Sequence, residues 1–304
     1  MARVTVIVPA YNAASYLPEA LNSVLGQSYA DWEIIVSDDG STDDTRAVVE
    51  SLMPDFDGRL HYMYQTNRGQ AAARNAAIRQ ATGEFFALLD ADDLWLRDRL
   101  RLGINLMDSD AGMGLVHGKV ARINQASEII EHPPCPAPKD QRGRIARKIY
   151  TRRAHPLCPT VLFRKACVEK IGLFDETLCP CEDRDLWFRI AEHYSVGYLD
   201  EIVAHYRIVP NSSSRNWQRA SDAQRRFIEK HRDRGSVSRL TARVAFANMY
   251  RERGDAIFNT GDTSESLRWY LQSLRFYPLN ASNVYMFFRA VGELALRPRR
   301  AVRT

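Results

Sequence analysis

Long apolar runs are missing from this chain of 304 residues. No uninterrupted stretch approaches the ~18 to 20 residues that a membrane-crossing helix requires, so a transmembrane anchor is not expected. The opening residues, Met1-Ala-Arg-Val-Thr-Val-Ile-Val8, turn strand-like at once and hold no apolar core followed by a cleavage site. A signal peptide is therefore not expected either. Cysteine is scarce and odd in number, with Cys135, Cys158, Cys167, Cys179 and Cys181 making five. Without an export signal, free thiols are the expectation and a disulfide framework is not. A metal reading of His155, Cys158, Cys179 and Cys181 fails on spacing, since there is one tight cysteine pair and no second CxxC.

What is present is ordinary in bulk. Hydrophobic residues make up 45% and charged residues 26%, in the usual range for a globular protein. The formal net charge of +5 is mildly basic. It suits anionic partners such as nucleotides or lipid phosphates, but is equally common in proteins without them. Nucleic acid is not expected as a partner.

The pattern along the chain is more informative. Val4 to Val8 reads as a buried strand closed by Pro9, and Ser15 is placed to cap the helix carrying Leu17, Ala20, Leu21, Val24 and Leu25. Glu33 to Ser37 is the next strand, Arg46 to Leu52 a helix, and Leu60 to Tyr64 a third strand. Gly69 to Ala81 is helical, and Glu84 to Leu89 is a fourth strand. This alternation predicts an α/β domain with a mostly parallel sheet. A proline-rich loop fills Asn124 to Gly143, a strand follows at Thr160 to Phe163, and Glu182 opens a helix. After about Ser214 the pattern becomes helical throughout. Tyr250, Gly254, Leu267, Tyr270, Leu274 and Pro278 are spaced as in a tetratricopeptide-like hairpin. The domains expected are 1–214, the α/β part, and 215–304, an α-helical C-terminal extension.

In open α/β sheets, ligands bind beyond the carboxyl ends of the strands. Tyr11-Asn12, Asp38-Asp39 and Asp90-Ala-Asp92 all follow strands directly, so three separate segments deliver polar groups to one edge. Asp90 and Asp92, one residue apart, can face the same way. Their repulsion is relieved by a divalent cation such as Mg²⁺ or Mn²⁺ with a diphosphate. The plainer alternative is an acidic turn in which Asp93 caps a helix beginning near Leu94. Asp38-Asp39-Gly40 is either an Asx-type turn or an acceptor for a base N–H or ribose hydroxyl. Arg74 is either a phosphate ligand or a solvated helix charge. Asp183, in the first turn of its helix, is either a cap or an ionised general base. Trp187, one turn on, is either a sugar platform or core.

Together, Val6-Ile-Val-Pro-Ala-Tyr-Asn12, Val36-Ser-Asp-Asp-Gly-Ser-Thr-Asp43, Asn67-Arg-Gly69, Ala73-Arg-Asn75, Asp90-Ala-Asp-Asp93, Gly172-Leu-Phe-Asp175 and Glu182-Asp183 make the chain resemble family 2 glycosyltransferases of the GT-A fold from Val4 to about Ser214. The resemblance implies an inverting enzyme that moves a sugar from a nucleoside-diphosphate sugar, usually UDP-linked, to a saccharide or lipid-linked acceptor. It implies that Pro9, Ala10, Tyr11, Asn12, Asp39, Arg74, Asp90 and Ala91 contact the donor, and that Asp92 with Asp90 holds Mn²⁺ or Mg²⁺. Asp183 would be the base, Glu182 and Trp187 would lie by the acceptor, and His205 and Arg207, near Ser212-Ser-Ser214, by the diphosphate. Cys179-Pro-Cys181 departs from the family pattern and leaves the loop before Glu182 open.

Two rivals follow from other classes. A sugar-nucleotide pyrophosphorylase should carry a Gly-rich, basic phosphate loop after the first strand. Pro9-Ala-Tyr-Asn-Ala-Ala14 has neither glycine nor a base. A non-catalytic scaffold working through the helical tail has no need of Asp39, Asp92 and Asp183. The apolar run Val284 to Leu296, followed by Arg297, Arg299, Arg300 and Arg303, fits a peripheral contact with an anionic bilayer and equally a packed helix with a basic tail. A cytoplasmic protein, peripheral on the inner membrane where that contact holds, is the expectation.

Overall fold

A computed structural model describes residues 2–133, 137–209, 217–279 and 281–296. Ser212-Ser-Ser214, Cys135 and the arginines after Leu296 lie outside the described residues. The chain forms two compact units, one from Met1–Ile149 and Arg153–Ser212, the other from Tyr150–Arg152 and Ser213–Thr304.

The first unit is built on a nine-stranded sheet. Strands β1 (Val4–Ala10), β2 (Trp32–Asp38), β3 (Leu60–Tyr64) and β4 (Phe85–Leu88) run parallel in the order β3-β2-β1-β4. Helices α1 (Leu17–Leu25), α2 (Thr45–Leu52) and α3 (Gln70–Gln80) make the crossovers that parallel pairing requires. β1 is buried along its whole length, which is why it reads as a nearly continuous apolar run, broken by Thr5, rather than an alternation.

Beyond β4 the sheet turns mixed. Its order continues through β8 (Leu162–Arg164), β6 (Met113–Ile123), β9 (Ser195–Arg207) and β5 (Leu94–Trp95), with β7 (Ile129–Glu131) attached to β6. β8 is antiparallel to both β4 and β6, whereas β6 and β9 are parallel. Helices α4 (Arg99–Asp108), α5 (Pro138–Gln141), α6 (Ala146–Tyr150), α7 (Lys165–Ile171) and α8 (Glu182–His193) complete the elements up to β9.

Three local expectations change. α1 starts from Tyr16 with no side-chain cap, so Ser15 does not cap it. Pro18 in the first turn removes one of the N–H groups that a cap would satisfy. Asp93 does not open a helix, because Leu94 and Trp95 pair with His205 and Ala204 as an edge strand. The proline-rich stretch is not structureless either, since it holds β7 and the short α5, with Pro138 in its first turn.

The second unit is helical, with α9 (Trp217–His231), α10 (Arg239–Asn259), α11 (Thr263–Phe276) and α12 (Ala281–Leu296). Ser238 caps α10 by accepting from the Thr241 N–H, and Asp262 caps α11 by accepting from the Glu265 N–H. α10 and α11 close together where Gly254 meets Tyr270: a Cβ at Gly254 would stand 2.6 Å from the ring. Phe258, Tyr270 and Ala290 form the centre of this unit, with Leu267, Met286 and Phe287 against them.

Candidate active site

The site is assembled from loops at the carboxyl ends of β1, β2 and β4 and from the start of α8. At the end of β1, Pro9 and Ala10 stay buried opposite Ser37 and Asp38, while Tyr11, just beyond, is 54% exposed. Asn12 takes φ +50°, a conformation Asn tolerates better than most residues. Its Oδ1 accepts from the Thr42 N–H at 2.8 Å, and its own N–H donates to Ser41 Oγ at 2.9 Å. The loops after β1 and β2 are thus stitched to each other.

The two aspartates at the end of β2 divide their work. Asp38 is structural: it accepts from the Ser41 N–H and from the Tyr62 hydroxyl. Asp39 accepts from Gln65 Nε2 at 2.6 Å, the Arg68 N–H at 2.9 Å and the Gly69 N–H at 2.7 Å. A carboxylate has about four acceptor positions, so one remains for a donor from outside. Gly40 closes this turn at φ +82°, and a Cβ there would meet the Asn67 amide at 2.8 Å.

From Asp39 a continuous polar path crosses the site. Gly69 leads to Gln70, whose Nε2 donates to Asp90 Oδ1 at 3.1 Å. The same oxygen receives Arg74 Nη2 at 2.7 Å, and Arg74 Nη1 reaches Glu182 Oε1 at 3.1 Å. Asp183 is the next residue. Its Oδ1 accepts the Arg184 N–H at 2.6 Å, and Cys158 Sγ stands 3.9 Å from its Oδ2. Segments around Asp39, Asp90 and Asp183 are therefore held in one hydrogen-bonded array, although 144 residues separate the first from the last.

Arg74 is the hinge of that array. It is neither a solvated charge nor open to a phosphate: its side chain is 2% exposed and lies between two carboxylates and the Phe174 ring. Glu182 is equally buried and spent on Arg74, and its Oε2 has no partner among the described residues. Glu182 is thus a structural partner of Arg74 and not an acceptor-facing group. Trp187 is also corrected. It is wholly buried, packed edge-on against Phe163 and Phe174, because nearly every side of α8 is covered.

The three carboxylates after β4 differ sharply. Asp90 is held by Arg74 and Gln70 through Oδ1. Asp93 is buried, and both burial and its neighbours Asp92 and Asp90 push its carboxyl well above the usual range. Its Oδ1 accepts the Arg207 N–H. Asp92 has no side-chain donor among the described residues, and burial, aided by Asp90, raises its pKa to about 6. A half-buried carboxylate beside another, with no side-chain donor of its own, suits a cation. Among the described residues no three His, Cys, Asp or Glu side chains are grouped to hold a metal. Phosphate oxygens and water would have to complete the shell, as they commonly do around Mg²⁺. Ala91, between the two carboxylates, is buried.

Arg207 does not serve the diphosphate. Its buried guanidinium donates to the carbonyls of Asp92, Asn124 and Gln125, to Ser127 Oγ and to Glu19. It braces the Asp92 loop from behind. His205 is half-buried on β9 opposite Leu94, with its pKa lowered by burial and then by His132.

Other supports carry no signal in sequence terms beyond their place in a motif. Asn75 pairs both ways with the Phe174 backbone, at 3.0 Å each, and so fixes the Gly172-Leu-Phe-Asp175 loop to α3. Arg189, paired with Asp185 at 2.7 Å, donates to the carbonyls of Ile171, Gly172 and Leu173 and ties the same loop to α8. Cys158 arrives beside Asp183 from a different element, a placement no spacing predicts.

Comparison with known proteins bears on the family and the fold. The profile of "Glycosyl transferase family 2" matches residues 5–172. An uncharacterized glycosyltransferase of Rickettsia felis is 32% identical over 68% of this chain. The chain spans only 33% of that relative's length. The UDP-Glc:alpha-D-GlcNAc-diphosphoundecaprenol beta-1,3-glucosyltransferase WfgD of Escherichia coli is 30% identical over 70% of this chain and 80% of its own. Among solved structures, S. aureus TarS 1-349 in complex with UDP-GlcNAc aligns with a TM-score of 0.68 at 21% identity, covering 96% of this chain and 80% of that one. Mannosyltransferase PcManGT from Pyrobaculum calidifontis, in complex with GDP-Man and Mn²⁺, aligns at 0.66 and 22% identity, covering 98% and 81%. These two likenesses bear on the fold.

Proposed function

The chain belongs to glycosyl transferase family 2, and from that premise we propose that it transfers a sugar from a UDP-linked donor to a hydroxyl of a saccharide or lipid-linked acceptor, inverting the anomeric centre, in the assembly of a cell-surface polysaccharide. The observation that carries the reading is the unbroken path Asp39–Gly69/Gln70–Asp90–Arg74–Glu182, ending beside Asp183. It brings together Asp39, Asp90 and Asp183, which in this reading serve, with Asp92, as base-binding carboxylate, cation-binding pair and general base. WfgD, by its name a UDP-glucose enzyme acting on a diphosphoundecaprenol-linked sugar, supports the donor and acceptor classes.

The roles follow from what each side chain has left to offer. Tyr11 and Asn12, exposed above β1, flank the base, and the remaining acceptor position of Asp39 receives its N–H. Asp92 and Oδ2 of Asp90 would hold Mn²⁺ or Mg²⁺, which when bound neutralises charge on the departing diphosphate. Asp183 takes the proton from the acceptor hydroxyl as that oxygen attacks the anomeric carbon. A polyanionic donor does not cross a bilayer, so a cytoplasmic site, peripheral on the inner membrane, fits the proposed substrates.

The test is a panel of nucleoside-diphosphate sugars with Mn²⁺ and purified protein. Release of one nucleoside diphosphate, accelerated by an acceptor saccharide, is the expected result. Absence of both binding and release with every donor would overturn the reading.

A further inference from the structure

Charge is shared unevenly between the two units. Over Tyr150–Arg152 and Ser213–Thr304 the sequence carries nineteen Lys and Arg against eight Asp and Glu, a formal net charge of +11. The first unit holds the remaining twenty-three against twenty-nine, a net −6. The whole-chain value of +5 hides this opposition. Four of those cations are Arg297, Arg299, Arg300 and Arg303; without them the unit still carries fifteen against eight, a net +7, which favours an anionic partner.

α12 supplies a second, independent observation. Asn283, Phe287 and Ala290 form its inward face. On the other side Tyr285, Phe288 and Val291 are 64%, 65% and 39% exposed. Their spacing by three sets them side by side along the helix, and half-buried Val284, four before Phe288, joins them. At about 100° per residue, Arg289 and Glu293 fall together on one flank, leaving the apolar strip unbroken. Leu279, in the turn just before α12, is 83% exposed. After the helix the sequence reads Arg297-Pro-Arg-Arg-Ala-Val-Arg303, with four cations and no acid.

We propose that this face of α12 lies on an anionic lipid surface, with Tyr285, Phe288 and Val291 at the acyl boundary and the positive charge of the sequence that follows drawing it to headgroup phosphates. Apolar strip, adjoining basic run and basic body are the combination that holds interfacial helices. No described helix is long and apolar enough to cross a membrane, so the helix lies on the surface and does not span it. A protein partner fits less well: a standard interface takes about 20–30 residues a side, and the strip offers four. The proposal rests on the transferase reading only in setting the enzyme beside a bilayer.

Sedimentation of the full chain with phosphatidylcholine vesicles, with and without phosphatidylglycerol, tests it with no donor or acceptor present. Binding is expected only to the phosphatidylglycerol vesicles and should fall as salt rises. Phe288→Glu should weaken it roughly tenfold or more, and each of Arg297→Gln, Arg299→Gln, Arg300→Gln and Arg303→Gln by about fivefold. Phe288 is exposed, so the variant's circular dichroism should match wild type. Absence of binding, equal binding to neutral vesicles, or unchanged binding by folded Phe288→Glu would overturn the proposal. A dimer that Phe288→Glu dissolves would do the same. Diphosphate release is measured separately without vesicles, so failure of either idea leaves the other standing.

Discussion

Replacement of Arg74 by methionine probes the centre of the polar path. Methionine keeps much of the aliphatic stem but none of the charge. Arg74 is 2% exposed, Glu182 5% and Asp90 19%. Removing one partner of a buried ion pair costs about 3–5 kcal/mol, because the other charge stays buried without compensation. Glu182 is the exposed point of weakness, since its Oε2 already lacks a partner among the described residues. In a body of this size each kcal/mol shifts the melting temperature by about 2–4 °C, so Arg74→Met should lower it by roughly 6–20 °C. Glu182→Gln leaves Arg74 paired with Asp90 and should cost less, about 1–3 kcal/mol. The two changes share one contact, so the double variant should be milder than their sum by about 0.5–3 kcal/mol. Calorimetry on the three variants gives these numbers directly. An Arg74→Met melting point within about 2 °C of wild type, or strict additivity in the double variant, would refute the coupling.

Three further outcomes are expected. Asp183→Asn should lower transfer by about 10²–10⁴ while the donor dissociation constant, read by calorimetric titration, hardly moves; retained turnover would remove Asp183 from the base role. Asp92→Asn should abolish the Mn²⁺-dependent part of donor binding. In the wild type that part should weaken as pH falls through about 6, because Asp92 then holds a proton on the oxygens a cation needs, and a flat profile between pH 5 and 8 would count against the assignment. Gly40→Ala, forced to φ +82° with its Cβ 2.8 Å from the Asn67 amide, should push the 67–69 loop off Asp39 and raise the donor KM more than it lowers kcat; an unchanged KM would show that Asp39 does not depend on that loop.

The strands and helices up to β4 were legible because each segment announced itself locally. Nearly continuous apolar runs mark buried parallel strands, and the alanine-rich α3 lies between β3 and β4 at crossover distance. In the second half of the sheet only β8 was legible, as the strand expected at Thr160 to Phe163. β5 has two residues and pairs with a strand more than a hundred positions later, so neither propensity nor periodicity reports it. The same contrast holds at the site. Asp39, Asp92 and Asp183 follow strand ends or open a helix, positions visible in sequence. Burial is a tertiary property, and it decided Trp187 for the core and turned Glu182 and Arg207 away from a ligand. All three face inward and hold the segments that carry the ligand-facing groups.

The acidic run after β4 shows how the fold sorts identical side chains. Three carboxylates within four residues cannot all stay ionised and unpaired at low cost. Asp90 is given a cation, Arg74, borrowed from α3. Asp93 is withdrawn from water, where burial and its neighbours favour the protonated acid, and it is anchored on the Arg207 backbone. Only Asp92 is left half-buried, with no side-chain donor among the described residues and with its carboxyl raised to about 6. At neutral pH it is ionised at an energetic cost that a divalent ion would reverse. Arg207, donating to the Asp92 carbonyl at 2.7 Å, keeps the loop from swinging Asp92 out to solvent, where that cost would vanish. The strain of an unmatched charge is thereby confined to the one aspartate proposed to meet the donor's metal.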